Sequence, residues 1–132
     1  MSRSGYSESC EGWELIRWRG AVNSAVKGKR GQDALRELAA ALDAMPEKKL
    51  ISGELQTSTG DVCALGSLAK HRGLDVASVD PYCRESVAGT FNIAEALAAE
   101  IMSVNDDWAW HGTPEDRWKT VRKWVADQIR TA

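Results

Sequence analysis

Apolar residues recur at intervals of three and four along most of this chain, and this period restricts the fold more than any other feature. Such spacing places the apolar side chains on one face of an α-helix. The stretch from Glu11 to Lys27 carries Leu15, Trp18, Val22 and Ala25 at this spacing. A second stripe, which ends at Pro46, consists of Leu35, Leu38, Ala39, Leu42 and Met45. Two amphipathic helices are therefore predicted, with a tight corner at the glycines of GKRG, residues 28 to 31.

The second half of the chain carries further helix signals. A helix from Val62 to Arg72 should stop at Gly73, and a short one should cover Glu85 to Ala88. Asn92 followed by Glu95 predicts a capping box at the start of the next helix. That helix has one apolar face, made of Ala94, Leu97, Ala98, Ile101 and Val104.

The last helix has the clearest start. Thr113 is the predicted N-cap, Pro114 suits the first helical position, and the acids that follow favour the positive end of the helix dipole. Its core face consists of Trp118, Val121, Val125 and Ile129, with Trp124 at the margin. The fold class predicted is mainly α: a single-domain bundle of five or six short helices over residues 10–132, with a flexible arm at 1–9. Near 50–65 the apolar residues suit a short strand or hairpin and a turn of helix equally, and an extended piece is favoured.

Composition limits the function classes. The chain has 132 residues, with 17 basic and 19 acidic side chains and a formal charge of −2, so no overall field draws it to nucleic acid or to an anionic membrane. Its three cysteines are not spaced as zinc ligands are, which argues against a metal site. Their odd number argues against a disulfide framework. No cofactor is predicted. Without a signal peptide or a long apolar run, we expect a cytoplasmic chain with no membrane segment.

Several phrases together resemble one known family. They are WELIRWRGAVNSAVKGKRGQ, DAMPEKKLI, DVCALGSLAKHRGLD, FNIAEALA, SVND and TPEDRW. The ordered set resembles a family of small proteins, of unassigned activity, encoded by tailed bacteriophages and prophages of Gram-negative bacteria. The resemblance covers nearly the whole chain and implies a phage accessory protein that acts in the bacterial host cytoplasm. It brings no catalytic residues.

Cys63 raises the possibility of an enzyme, because a cysteine at a helix N-terminus can have a lowered thiol pKa. His71 lies eight residues later on the same helix, about 12 Å away along the axis, so it cannot be the base. His111, oriented by Asn105 or Asp106, could approach only through tertiary folding. The interpretation favoured is a buried cysteine that packs as a small apolar residue.

The segment SLAKHRGLDVASV has the spacing of a helix-turn-helix, with Ala69, Gly73 and Val79 at the packing positions. Pro81 would truncate the recognition helix, and Asp75 and Asp80 would face phosphates unfavourably. A capped helix followed by a loop is therefore the interpretation favoured.

Two surface features are candidate sites for a partner. The first is a cationic corner, made of Arg17, Arg19, Lys27, Lys29 and Arg30. Positions 19, 23 and 27 share one helical face, although an ordinary solvated face is the more frequent cause of such clustering. The second is the loop DDWAWHGTPEDRW, in which Trp108, Trp110 and His111 could form a recognition anchor or a lid on the bundle. The acids around this loop lack a metal-site spacing.

These features lead to one main hypothesis and two alternatives. The main hypothesis is a non-enzymatic, phage-encoded protein that binds a host protein, as an inhibitor of a bacterial defence system such as an anti-CRISPR would. The first alternative is a nucleic-acid-binding phage protein that uses the basic corner between residues 17 and 30. The second is a Cys63-dependent enzyme. The sequence leaves the target and the oligomeric state open.

Overall fold

A computed structural model describes residues 13–108 and 112–130 of the chain, with side chains from residue 16 onward. Within these residues the structure is a mainly α-helical bundle with a single core. The helices are α1 (Trp13–Lys27), α2 (Lys29–Ala44), α3 (Ala64–Arg72), α4 (Arg84–Phe91), α5 (Glu95–Asp107) and α6 (Pro114–Gln128). The predicted fold class is therefore confirmed. The arm predicted at residues 1–9 lies outside the described residues.

The apolar stripes account for the packing. Helix α5 is the most enclosed element, since all ten residues from Ala96 to Asn105 are buried. Helices α1, α3, α4 and α6 all pack against it, while α2 packs against α1, α3 and α6. The largest fully buried side chains come from several of these elements and include Leu35, Leu38, Phe91, Leu97, Ile101 and Met102.

The corner between α1 and α2 is tighter than the sequence predicts. Only Gly28 separates the two helices, and it has extended backbone with φ −68°. Gly31, expected in the corner, is instead helical and buried in α2. It is close to α1, because a Cβ atom on Gly31 would lie 1.8 Å from the carbonyl oxygen of Ala25. The second glycine therefore permits a close approach between helices.

The short strand considered near 50–65 does not form in the described residues, although part of the segment pairs as a tight antiparallel turn. That segment contains one isolated antiparallel bridge, between Gln56 and Val62, and no strand. Its backbone groups bond side chains of the helices. The carbonyl of Ile51 accepts from Asn105 Nδ2 at 2.9 Å, and that of Leu50 accepts from Arg117 Nη1 at 3.0 Å. The segment also bonds itself, from the N–H of Thr57 to the Asp61 carbonyl and from the N–H of Cys63 to the Leu55 carbonyl, so a short turn and the helices satisfy its backbone without a regular strand.

The capping predictions have mixed outcomes. Thr113 caps α6 through a complete capping box with Asp116, as predicted at this N-terminus. Gly73 ends α3 in the left-handed region with φ 72°, also as predicted. The capping box at Asn92 is wrong: Asn92 is the left-handed C-cap of α4, and Ala94 precedes α5 without a side-chain cap bond. Asparagine tolerates left-handed backbone, and here it uses that conformation to end α4. It therefore cannot also be the N-cap of α5.

Helix α3 begins at Ala64 rather than Val62, with Cys63 as its N-cap. Helix α4 is longer than predicted, from Arg84 to Phe91. Of the residues that the structure describes, no single helix is long and apolar enough to cross a membrane, while the bent pair α4 and α5, at 104° to each other, passes that test of length and composition together.

Candidate functional site

A groove opens between α1 and α6, with α5 at its base. It encloses about 370 Å³ and brings together residues from both ends of the chain. We call it the α1–α6 groove, and it is lined by Arg19, Val22, Asn23, Val26, Glu100, Trp108, Thr120, Lys123, Trp124, Asp127 and Gln128. The groove forms because α1 and α6 both pack against α5 and α2.

One residue of each predicted partner site lines this groove. Arg19 belongs to the cationic corner, and Trp108 belongs to the loop DDWAWHGTPEDRW. Trp108 is 58% exposed and lies just after the end of α5. An exposed tryptophan at the edge of a groove presents a large, rigid apolar surface at low cost in side-chain entropy. Trp110 and His111, the other predicted residues of the loop, lie outside the described residues.

The polar floor of the groove is an ion pair. Arg19 Nη1 lies 3.0 Å from both carboxylate oxygens of Glu100. The Glu100 side chain is only 5% exposed, whereas that of Arg19 is 46% exposed. A buried carboxylate needs such a partner because leaving water is costly for a charge. Glu100 thus fixes Arg19 at the groove.

A second ion pair lies on the α6 side. Lys123 Nζ is 3.2 Å from the Asp127 carboxylate, one helical turn away, and both side chains are solvated. With Arg19 and Glu100, the groove lining holds two cations and two anions. It therefore has no excess formal charge, which is unlike the lining of a site that holds a polyanion.

The structure divides the predicted cationic corner. Arg17 and Arg19 are two positions apart, about 200° around α1, so Arg17 points away from the groove. Lys29 bonds Asp33 on its own helix at 2.9 Å. Arg17, Lys27 and Arg30 are exposed and form no ion pair with any described residue. The five cations therefore do not form one continuous face.

Cys63 lies in the core. It is fully buried, and its Sγ accepts a hydrogen bond from the N–H of Gly66 at 3.4 Å. Asn105, considered as an orienting group for a catalytic histidine, instead accepts from the N–H of Ala64 and donates to Ile51 and Asp106. His71 is exposed near the other end of α3. The contacts of Cys63 and Asn105 are those of a helix cap and a loop anchor.

The helix-turn-helix interpretation finds no recognition helix. Residues 74–83, between Gly73 and α4, are not helical. Val79 lies in a turn, with its N–H bonded to the carbonyl of Val76 at 3.1 Å. The capped helix followed by a loop is therefore confirmed. Among the residues with described side chains, no group of three or more His, Cys, Asp or Glu could hold a metal ion.

A second hollow, of about 390 Å³, lies between α2 and α3, and His71 is part of its lining. Two of its cations are already engaged: Lys49 bonds Glu47 at 2.9 Å, and Lys70 bonds the Gly60 carbonyl at 2.7 Å. Among the described residues, no tryptophan, tyrosine or phenylalanine lines it. It offers fewer means of recognition than the α1–α6 groove.

Residues that the sequence interpretation did not select complete the groove. Glu100, Lys123 and Asp127 were not candidates, and Trp124 was placed at the core margin although it is 6% exposed. One signal for Glu100 exists in the sequence: it is a charged residue inside the apolar run ALAAEIM of α5. A charge that interrupts a buried helix face predicts an ion-pair partner, although it does not say which one.

Comparison with protein-family models, with curated proteins and with solved structures gives no significant match.

Proposed function

We propose that this chain acts by binding a protein partner in the α1–α6 groove, with Trp108 as the main anchor and with no chemistry of its own. One observation carries this proposal: Arg19 and Trp108, from two separate candidate sites of the sequence, line the same groove. Arginine and tryptophan are the residue types that contribute most often to strong protein contacts.

Electrostatics favour a protein over a nucleic acid. The lining pairs each cation with an anion, Arg19 with Glu100 and Lys123 with Asp127. Phosphate binding relies on unneutralised cations, so a polyanion would gain little here. A protein surface offers both signs of charge and apolar groups, which suits a groove of mixed character.

The resemblance to phage proteins supports a bacterial host protein as the partner. Within that setting, a component of a host defence system is the target that we propose, with the chain as its inhibitor in the host cytoplasm. Binding alone is enough for such a role, since covering a functional surface of the target blocks it.

The test compares two exposed aromatic residues. Trp108 is 58% exposed and Tyr82 is 60% exposed, and only Trp108 lines the groove. Tagged wild-type protein, Trp108→Ala and Tyr82→Ala are used to capture partners from infected host lysate, and the captured proteins are identified by mass spectrometry. A host protein retained by wild type and Tyr82→Ala but lost with Trp108→Ala is expected. Equal capture by all three would exclude the groove.

One observation favours a second candidate, the nucleic-acid-binding protein. Arg17, Lys27 and Arg30 are solvent-exposed cations without an ion-pair partner in the described parts of the chain. Phosphate contacts make affinity fall steeply with salt. A gel shift at low salt that disappears in Arg17→Ala/Arg30→Ala, with Trp108→Ala unaffected, would support this candidate over the first.

A further inference from the structure

We propose that the partner presents an acidic α-helix, which lies along α1 and directs carboxylates at four-residue spacing toward Arg19, Asn23 and Lys27. This inference rests on the proposed function and adds the chemistry of the partner. Its basis is the charge and geometry of α1 on the side that borders the α1–α6 groove.

The charge of α1 differs from that of the whole chain. Helix α1 carries three basic residues and one acidic residue, Glu14, although the chain has a formal charge of −2. Arg19 and Lys27 lie on the groove side of the helix or next to it, with Asn23 between them. Glu100 offsets the charge of Arg19, so Lys27 gives this side its excess positive charge, which complements a negatively charged partner.

Arg19 has donors left for a ligand. Its bonds to Glu100 use Nη1 alone, and its Nε and Nη2 groups bond nothing among the described residues. A guanidinium presents its remaining N–H groups in a fixed fork that matches a carboxylate. Because Glu100 is buried, it holds the guanidinium in place before a partner arrives.

Asn23 and Lys27 continue the row. Each lies four residues further along α1, a step of about 6 Å. Both side chains are exposed and neither has a hydrogen bond or ion pair with a described residue. The row therefore offers a guanidinium, an amide and an ammonium group to an approaching surface.

A second helix fits this row better than an extended strand does. Two helices side by side have the same step of about 6 Å between residues i and i+4, so three carboxylates can face three donors together. A strand would need backbone partners, which the internally bonded backbone of α1 does not supply.

The rest of the α1 face is open to close approach. Ile16 is 63% exposed, and an added Cβ at Gly20 would have no atom within 4 Å. These two positions share a helical face with Asn23 and Lys27. An apolar side chain of the partner can therefore contact Ile16 while its carboxylates bond the donors.

The test uses three synthetic helical peptides against the full-length protein labelled with ¹⁵N. The first peptide has Glu at positions i, i+4 and i+8 on one face with leucine beside them. The second has Lys in place of Glu, and the third has the same composition as the first with the Glu residues moved off that face. We expect the first peptide alone to shift the amide signals of residues 19, 23 and 27 and the indole signal of Trp108.

The decisive variant is Lys27→Glu, because Lys27 has no partner among the described residues and its loss should leave the fold unchanged. Binding of the acidic peptide should weaken about tenfold. A peptide with a single Glu→Lys exchange at the facing position should restore it. Equal binding of the Lys peptide, shifts that map away from α1, or a failure of the exchanged peptide to restore binding would each overturn the inference. So would tighter binding of a short DNA duplex at the same residues.

The failure of this inference can be distinguished from the failure of the proposed function. If Trp108→Ala abolishes capture of the cellular partner but Lys27→Glu and Asn23→Asp do not, the groove is the binding site and the partner is not an acidic helix. If Trp108→Ala leaves that capture intact, the proposed function itself is wrong.

Discussion

Arg19 on α1 and Glu100 on α5 are 81 residues apart in sequence, and the arginine Nη1 is 3.0 Å from both oxygens of the glutamate. This pair joins an early helix to the most buried helix of the bundle. It also forms the polar floor of the α1–α6 groove, so the same contact joins two helices and shapes the candidate site.

The first prediction concerns this pair. Arg19→Met should lower the free energy of unfolding by about 2 kcal/mol, because it removes the cation beside a buried carboxylate; the half-exposed arginine keeps the loss below that of a fully buried pair. The double variant Arg19→Met/Glu100→Met should recover most of the loss. Urea unfolding of the single and double variants measures the coupling. Additive losses would show that the two side chains do not interact.

The second prediction compares two helical glycines. Gly31→Ala should destabilise the protein by about 3 kcal/mol, since its Cβ would lie 1.8 Å from the backbone oxygen of Ala25. Gly20→Ala, with nothing within 4 Å of the added atom, should stabilise it by up to about 1 kcal/mol. Thermal unfolding followed by circular dichroism gives both values. Similar melting temperatures for the two variants would contradict the close approach of α1 and α2.

The third prediction separates the two tryptophans of the groove. Trp108→Ala should change the free energy of unfolding by less than about 1 kcal/mol, as expected for an exposed side chain. Trp124→Ala should cost about 3 to 5 kcal/mol, because Trp124 is 6% exposed and packs in the core. Chemical denaturation of both variants tests this. A large loss for Trp108→Ala would mean that this ring is a structural lid.

The fourth prediction concerns Arg117, which is 9% exposed. Its Nη1 bonds the Leu50 carbonyl, its Nε has no hydrogen-bond partner, and it forms no ion pair with a described residue. Arg117→Met keeps most of the side-chain volume but leaves the buried Leu50 carbonyl without this donor, so it should lower the unfolding free energy by about 1 kcal/mol. Arg117→Ala should lose about 2 kcal/mol or more through the cavity that it leaves. Equal losses for Met and Ala would show that the charge itself is required.

The fifth prediction concerns pH. The hydrogen bond from Arg122 is the main cause of the lowered pKa of Asp43; burial opposes it, and the attraction of Arg122 and Lys48 adds to it. A lowered carboxyl pKa stabilises the fold above the ordinary value of about 3.9 and loses that effect as the pH falls through the lowered pKa.

Asp43→Asn should therefore be less stable than wild type by up to about 1 kcal/mol at neutral pH, a small amount because the pair is partly solvated. Urea unfolding at pH 7 and near pH 3 measures the difference. It should shrink at the lower pH, and a difference that is constant with pH would exclude the ion pair as its cause.

The sequence by itself determined the helices and several of their ends. Apolar side chains at three- and four-residue spacing lie on one face as soon as their own segment is helical. Thr113 caps α6 by accepting a hydrogen bond from a backbone N–H only three residues away. These relationships are local, so they can be predicted from the sequence. The same is true of Gly73, whose left-handed backbone ends α3 without help from another element.

Only the tertiary structure decided which helices lie beside each other and therefore where the groove is. The carbonyls of Leu50 and Ile51, where the 50–65 segment begins, bond Arg117 and Asn105, which are distant in sequence. Arg19 meets Glu100 and Trp108 because α1 packs on α5, and no local spacing records that packing. The physical reason is that a helix face specifies burial but not the identity of the surface that buries it, which depends on how all the faces fit together in one core.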